Sequence, residues 1–174
     1  MAWSTLISIG IFWLAIPHSG LAQTHAPPNR EALRKAFREI GEEQQHLDVF
    51  LEAIKEYALA RPHDTAAEGF RATGELMALE SLINPLLKYG GFVQWKEVLE
   101  QAIINHPGDL DLHFFRLTVQ LNIPAFLNYH GSIQDDSQLV YRGIKSDVWP
   151  SDKAHANFAH EILVAFELIS ETSR

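Results

Sequence analysis

The chain has 174 residues, 47% of them hydrophobic, and its 22 acidic side chains outnumber 14 basic ones, for a formal net charge of −8 at pH 7. Nucleic-acid binding needs a basic stripe, so the acidic excess disfavours nucleic acid, and anionic membrane surfaces for the same reason. The chain has no cysteine, which excludes disulfides, thiolate nucleophiles and cysteine-ligated zinc.

The N-terminal segment has the features of a secretory signal peptide. It carries no Lys, Arg, Asp or Glu, its short apolar run ends at Pro17, and small residues occupy Gly20 and Ala22. The apolar run is too short to span a bilayer, and the small residues fit a cleavage site after Ala22. We therefore expect export to the periplasm or to the outside of the cell. The predicted division is a signal peptide over residues 1–22, a tether over 23–28 and a single helical domain over 29–174.

The first part of this domain is predicted to be helical. Asn29 can cap a helix, and apolar residues then recur at helical spacing as far as Ala60. Gly41 bends or ends the first helix, which leaves one long kinked helix or two short ones, and Pro62 stops the pattern. Thr65, three residues before Glu68, has the spacing of a capping box that opens the next helix.

This next helix is expected to run to Ile83 and to end at Asn84 and Pro85. We predict a short connection containing Gly90 and Gly91 after it. The predicted helices that follow are an amphipathic one over 92–106, a central and largely apolar one over 109–122, a shorter one through Leu139 and Ile144, and a last one capped by Ser151 and reaching Ile169.

No β-type alternation of useful length occurs, so the predicted fold class is all-α, with about six helices in antiparallel hairpins. The segment 99–117, in which one amphipathic helix ends at Pro107 and a second begins two residues later, resembles a junction between tetratricopeptide units. There is no clean self-similarity near a period of thirty-four residues, and we describe the fold as a degenerate tetratricopeptide-like stack.

Polar residues on the predicted central helix are the first candidates for a site. Asp109, His113, Arg116 and Gln120 fall within about 60° of one another on a helix that is otherwise apolar. One hypothesis is a groove in which Arg116 binds an anion and His113 exchanges a proton. The alternative is a solvated strip in which Asp109 pairs with His113.

A loop beyond this helix adds Tyr129, Asp135 and Asp136 to the candidates. A third hypothesis gives the stripe a structural role, in which a buried Arg116 is tied to the aspartates and locks two helices together. Acidic residues at a helix start are typical of capping and need no ion, so no metal is predicted here. His155 and His160 lie about 140° apart on a helix and cannot share an ion. We predict no catalytic residue and no cofactor.

One block of the chain resembles a known family. The features that carry the resemblance are Asn84-Pro85, Lys88, Ala102-Ile103 before Pro107, Arg116-Leu117 with Gln120, Pro124, Phe126-Leu127, Tyr129 and Asp135-Asp136. With the small-residue helix from Gly69, residues 69–140 resemble a family of uncharacterised exported bacterial proteins of all-helical, tetratricopeptide-like character. The resemblance implies export and a helical fold, and it supplies no activity to transfer.

The leading functional hypothesis is a non-enzymatic protein-interaction or scaffold module of the cell envelope, because helical stacks commonly present a face to another protein or peptide. After removal of the signal peptide we expect no membrane contact and no nucleic-acid partner. The alternative is a small envelope enzyme or anion-binding protein that uses the stripe of His113, Arg116 and Gln120.

Overall fold

The computed structural model describes residues 28–40 and 45–169. The predicted signal peptide and Gly41 lie outside these residues. Within them there is no strand, and the all-α class is confirmed, while the tetratricopeptide-like arrangement stays a prediction. The α-helices are α1 (Arg30–Glu39), α2 (Gln45–Ala60), α3 (Ala66–Ala78), α4 (Pro85–Asn105), α5 (Leu110–Asn122), α6 (Ile133–Lys145) and α7 (Lys153–Ala165), with 3-10 helices at Leu79–Ser81 and Ala125–Leu127.

Several predicted helix boundaries are confirmed. Asn29 caps α1, because its side-chain oxygen accepts a hydrogen bond from the amide of Ala32 at 2.9 Å. The helix α2 ends at Ala60, ahead of Pro62. Asp109 caps α5 through the amide of Asp111 at 3.1 Å, and that helix ends at Asn122 as predicted.

The predicted capping box at the start of α3 does not form. The side chain of Thr65 makes no capping hydrogen bond. Asp64 takes that role, since its Oδ1 accepts a hydrogen bond from the amide of Ala66 at 3.1 Å. The helix also ends at Ala78, five residues before the predicted end at Ile83, and continues only as a 3-10 turn.

The prediction that Asn84 and Pro85 end a helix was wrong, because they begin α4. Asn84 accepts a hydrogen bond from the amide of Leu86 at 2.9 Å, and Pro85 takes the first helical position, where its missing N–H costs nothing. The predicted connection at Gly90 and Gly91 is therefore helical. A Cβ at Gly91 would lie 2.6 Å from a methyl carbon of Leu79, so its glycine allows the 3-10 turn to pack closely on α4.

The last helix also differs from the prediction at both ends. Its cap is Asp152 rather than Ser151, and the Asp152 side chain accepts a hydrogen bond from the amide of His155 at 3.1 Å. The helix ends at Ala165, short of Ile169. Glu167 adopts a positive φ of 57°, which turns the chain out of the helix.

The hydrophobic core is centred on α5. Phe115 packs with its ring centroid 4.4 Å from that of Phe37 in α1, 6.0 Å from Phe50 in α2 and 5.7 Å from Phe70 in α3. Helix α6 packs on α5, and α7 contacts both α6 and α1. None of the helices in the described ranges is long and apolar enough to cross a membrane.

Candidate functional site

The polar stripe of α5 points into the interior rather than into solvent. His113, Arg116 and Gln120 are all buried, and the residue opposite them on α6 is Asp136, which is only 1% exposed. The interpretation of the stripe as a solvated strip is therefore wrong. Arg116 and His113 are each only 8% exposed, so their polar groups have little contact with bulk water and depend on partners within the protein.

Arg116 binds two carboxylates. Its Nε and Nη2 donate to the two oxygens of Asp136 at 2.7 and 2.8 Å, and its Nη1 donates to Oε2 of Glu100 in α4 at 2.7 Å. Burial alone would lower the pKa of Arg116, but the hydrogen bonds that it donates to Asp136 and the charges of Asp136 and Glu100 hold this pKa above its ordinary value. The guanidinium charge is thus neutralised by the protein itself.

His113 is held on both sides of its ring. Its Nδ1 lies 2.7 Å from Oδ1 of Asp136, and its Nε2 lies 3.0 Å from the carbonyl oxygen of Pro107. Both partners are hydrogen-bond acceptors, so a neutral imidazole could donate to only one of them. Since both nitrogens are engaged, neither is directed at an open site where it could exchange a proton with a ligand.

Tyr129 closes this network at its outer edge. Its hydroxyl donates a hydrogen bond to Oε1 of Glu100, and its ring packs edge-on against Phe92 at 5.9 Å between centroids. Burial, and then the hydrogen bond to Glu100, raises the pKa of Tyr129 well above its ordinary value. The resulting chain of contacts from His113 to Tyr129 ties α4, α5, α6 and the loop after α5 together.

The other predicted members of the stripe lie elsewhere or lack a partner. Asp109 does not pair with His113 through its side chain; it caps α5 and binds Nη1 of Arg30 at 2.5 Å. Asp135 is exposed, so of the two adjacent aspartates only Asp136 joins the network. The side-chain oxygen Oε1 of Gln120 is buried without a hydrogen-bond partner among the described residues.

A second ionic network was missed by the sequence analysis. Arg34 in α1 donates from Nε to Oδ2 of Asp152 at 2.9 Å and from Nη1 to Oδ2 of Asp111 at 3.1 Å. Arg38 reaches the same Asp152 at 3.3 Å. The four-residue spacing of Arg30, Arg34 and Arg38 places them on one face of α1. This spacing is the feature of the sequence that could have indicated the network.

This second network attaches α1 to the starts of α5 and α7. Burial alone would raise the pKa of Asp152, but the hydrogen bonds from Arg34 and the His155 amide, with the charge of Arg38, hold it below its ordinary value. Burial raises the pKa of Asp111, despite its attraction to Arg34. Arg34, Asp111 and Asp152 are all buried, so these contacts are internal to the fold.

His155 is the most deeply buried histidine of the described residues. It is 0% exposed, and neither ring nitrogen has a hydrogen-bond partner in the described part of the chain. Its ring packs edge-on against Phe114 and Trp149 at centroid distances of 5.1 and 4.5 Å. Burial, reinforced by the charge of Arg34, lowers the pKa of His155 to about 3. No group of three or more potential ligands among the described residues could hold a metal ion.

The surface opens at one end of the helices into a groove of about 720 Å³. Its floor is made by buried core residues, among them Phe37 and Phe92. This volume is within the range of about 300–1,000 Å³ typical of binding sites. The lining residues, most of them apolar, are Phe37, Ile40, Leu76, Met77, Leu79, Glu80, Pro85, Lys88, Tyr89, Phe92, Thr118, Val119, Asn122, Ile123, Pro124, Phe126, Leu127, Phe158 and Ile162.

Large apolar side chains stand exposed at the rim of this groove. Phe126, which lines the groove, is 83% exposed, and Leu86, which follows the lining residue Pro85 on α4, is 80% exposed. Tyr89 lines the groove. Leu86 lies three residues before Tyr89 on α4 and Val93 lies four residues after it, so the three exposed side chains form one stripe. This stripe continues the groove wall outward. We call the groove together with Leu86, Tyr89, Val93 and Phe126 the groove face.

Comparisons of the chain with protein-family models, with curated proteins and with solved structures gave no match. Function must therefore be argued from the groove face and the two ionic networks.

Proposed function

We propose that the protein is a non-enzymatic interaction module of the cell envelope, and that it binds another protein or peptide through the groove face. The observation that carries the proposal is an apolar groove whose floor reaches the core and whose rim bears exposed Phe126 and Leu86. Exposed contiguous apolar surface of this kind is typical of interaction sites, since leaving it in water is unfavourable.

The composition of the groove favours binding over chemistry. Its lining contains one carboxylate, Glu80, and one amine, Lys88, and includes no histidine. General acid–base catalysis requires positioned titratable groups around the reacting atoms, and the groove offers few. Fully engaged Arg116 and His113 likewise give no support to the alternative of an anion-binding site or an enzyme at the stripe of α5.

The location in the cell envelope rests on the features of residues 1–22. An exported protein without cysteine depends on its core and its ionic networks for stability. The first network joins α4, α5 and α6, and the second joins α1 to the starts of α5 and α7, so together they hold helices that carry the groove face. A rigid apolar face loses less conformational entropy on binding than a flexible one.

The proposal is tested by crosslinking the tagged protein in its own cells and purifying it with its bound partner. Phe126→Asp and Leu86→Asp are expected to abolish capture of any protein held by the wild type, because each places a charge on the apolar face. Leu59→Asp is the matched control, since Leu59 is also largely exposed but lies on α2, away from the groove lining. Capture that survives both groove variants would contradict the proposal.

A further inference from the structure

We infer that the partner of the groove face is a second copy of this chain, so that the protein forms a symmetric dimer. The inference rests on the proposed function, because it names the partner of the same surface. Its evidence is the charge pattern of the groove, the extent of the exposed apolar surface and the position of Phe126.

The groove carries one acidic and one basic side chain. Glu80 and Lys88 both line it, and neither forms an ion pair with any other residue of the described ranges. A surface with one free acid and one free base is complementary to itself. A two-fold axis passing between the two positions places Lys88 of each copy opposite Glu80 of the other. The same ion pair then forms twice in the dimer.

The groove face offers apolar surface of the kind that a dimer interface buries. A standard interface buries about 800 Å² on each partner. The four rim side chains, each large and about half or more exposed, extend the apolar walls of the groove toward that size. Aromatic residues are enriched at the centres of interfaces, and the rim contributes both Phe126 and Tyr89.

The position of Phe126 indicates how the two copies fit together. It projects from the loop after α5 and lies beside a groove large enough to receive an aromatic ring. A projecting side chain and its receptor that lie on the same face allow a closed two-fold arrangement, whereas a receptor on a different face would produce an open polymer.

Sedimentation velocity from about 1 to about 100 μM, on the protein purified from the cells that make it, tests the inference. The variants are Lys88→Glu, Glu80→Lys and the two combined. Each single reversal is expected to weaken dimerisation about tenfold or more, because it sets like charges opposite each other twice. The combined swap restores the pairing and the affinity. Lys55→Glu on α2, which makes the same change in net charge as Lys88→Glu, is expected to have no effect.

Three results would overturn the inference. One is a wild type that stays monomeric at about 100 μM. Another is a dimer that neither single reversal weakens, since the interface would then lie elsewhere. The third is a combined swap no tighter than the single reversals. A monomer that still captures a different protein through Phe126 would refute the dimer and leave the proposed function standing, whereas a monomer that captures nothing would refute both.

Discussion

Replacing Arg116 with Met is expected to destabilise the protein by about 3 kcal/mol. The substitution removes both hydrogen bonds to Asp136 and leaves that carboxylate buried, with His113 as its remaining ionisable partner among the described residues. Loss of one partner from a buried ion pair costs about 3–5 kcal/mol. We expect the lower end, because His113 stays in place and Glu100 is partly exposed and can be hydrated.

Urea denaturation followed by circular dichroism measures the effect. With a slope of about 2 kcal/mol/M, the midpoint should fall by about 1.5 M. The melting temperature should fall by about 6–12 °C. Arg142→Met is the matched control, because Arg142 is exposed on α6, and its effect should stay within about 0.5 kcal/mol.

A double-mutant cycle separates the ion pair from general packing. Arg116→Met combined with Asp136→Leu removes both charges, so the double variant should be more stable than Arg116→Met alone, with a coupling energy of at least about 2 kcal/mol. A loss below about 1 kcal/mol in the single variant would refute the reasoning, as would strictly additive effects.

Three further predictions concern stability. Arg34→Met removes one partner from each of two buried carboxylates, Asp111 and Asp152. It should lower the free energy of unfolding by about 3 kcal/mol in the same urea titration. An unchanged midpoint would count against the second network. The pKa of His155 is about 3 in the folded protein, compared with an ordinary value of 6.5. As the pH falls below 6.5, the unfolded chain therefore takes up the proton first. The free energy of unfolding should then drop by up to about 1.4 kcal/mol per pH unit until about pH 3. His155→Leu should remove this slope, and equal slopes in the two proteins would contradict the assignment. Gly69→Ala should destabilise the protein by about 1–3 kcal/mol, because its Cβ would lie 2.6 Å from a methyl carbon of Leu112. Gly90→Ala, which has open space around it, should stabilise the protein by about 0.5–1 kcal/mol in thermal melts. Effects of the same sign would be inconsistent with the packing described.

Local signals predicted the helix boundaries where only one interpretation was available. Asn29 and Asp109 precede strongly periodic segments and do cap helices. Asn84 and Pro85 were ambiguous, because a proline that stops one helix also suits the first position of the next. The preceding helix had already ended at Ala78, so the pair was free to begin α4.

The candidate site was predictable only in part, because the burial of a helix face depends on how other helices pack against it. Helical spacing places His113 and Arg116 on one face of α5, and this follows from the sequence alone. The depth of that face depends on where α6 packs, which local spacing does not determine. The pair of Arg34 and Asp152 joins residues 118 positions apart, and the groove is assembled from five helices and two loops. Contacts between residues so far apart in the sequence depend on tertiary packing, which the periodicity of a single helix does not predict.

The most direct test of the central claim is site-specific photocrosslinking in living cells. A photoreactive phenylalanine analogue at position 126 reports on whatever protein touches the groove face, and the same analogue at exposed position 59 serves as the control. We expect a discrete protein adduct at position 126 and none at position 59. No adduct at position 126, or the same adduct at both positions, would contradict it.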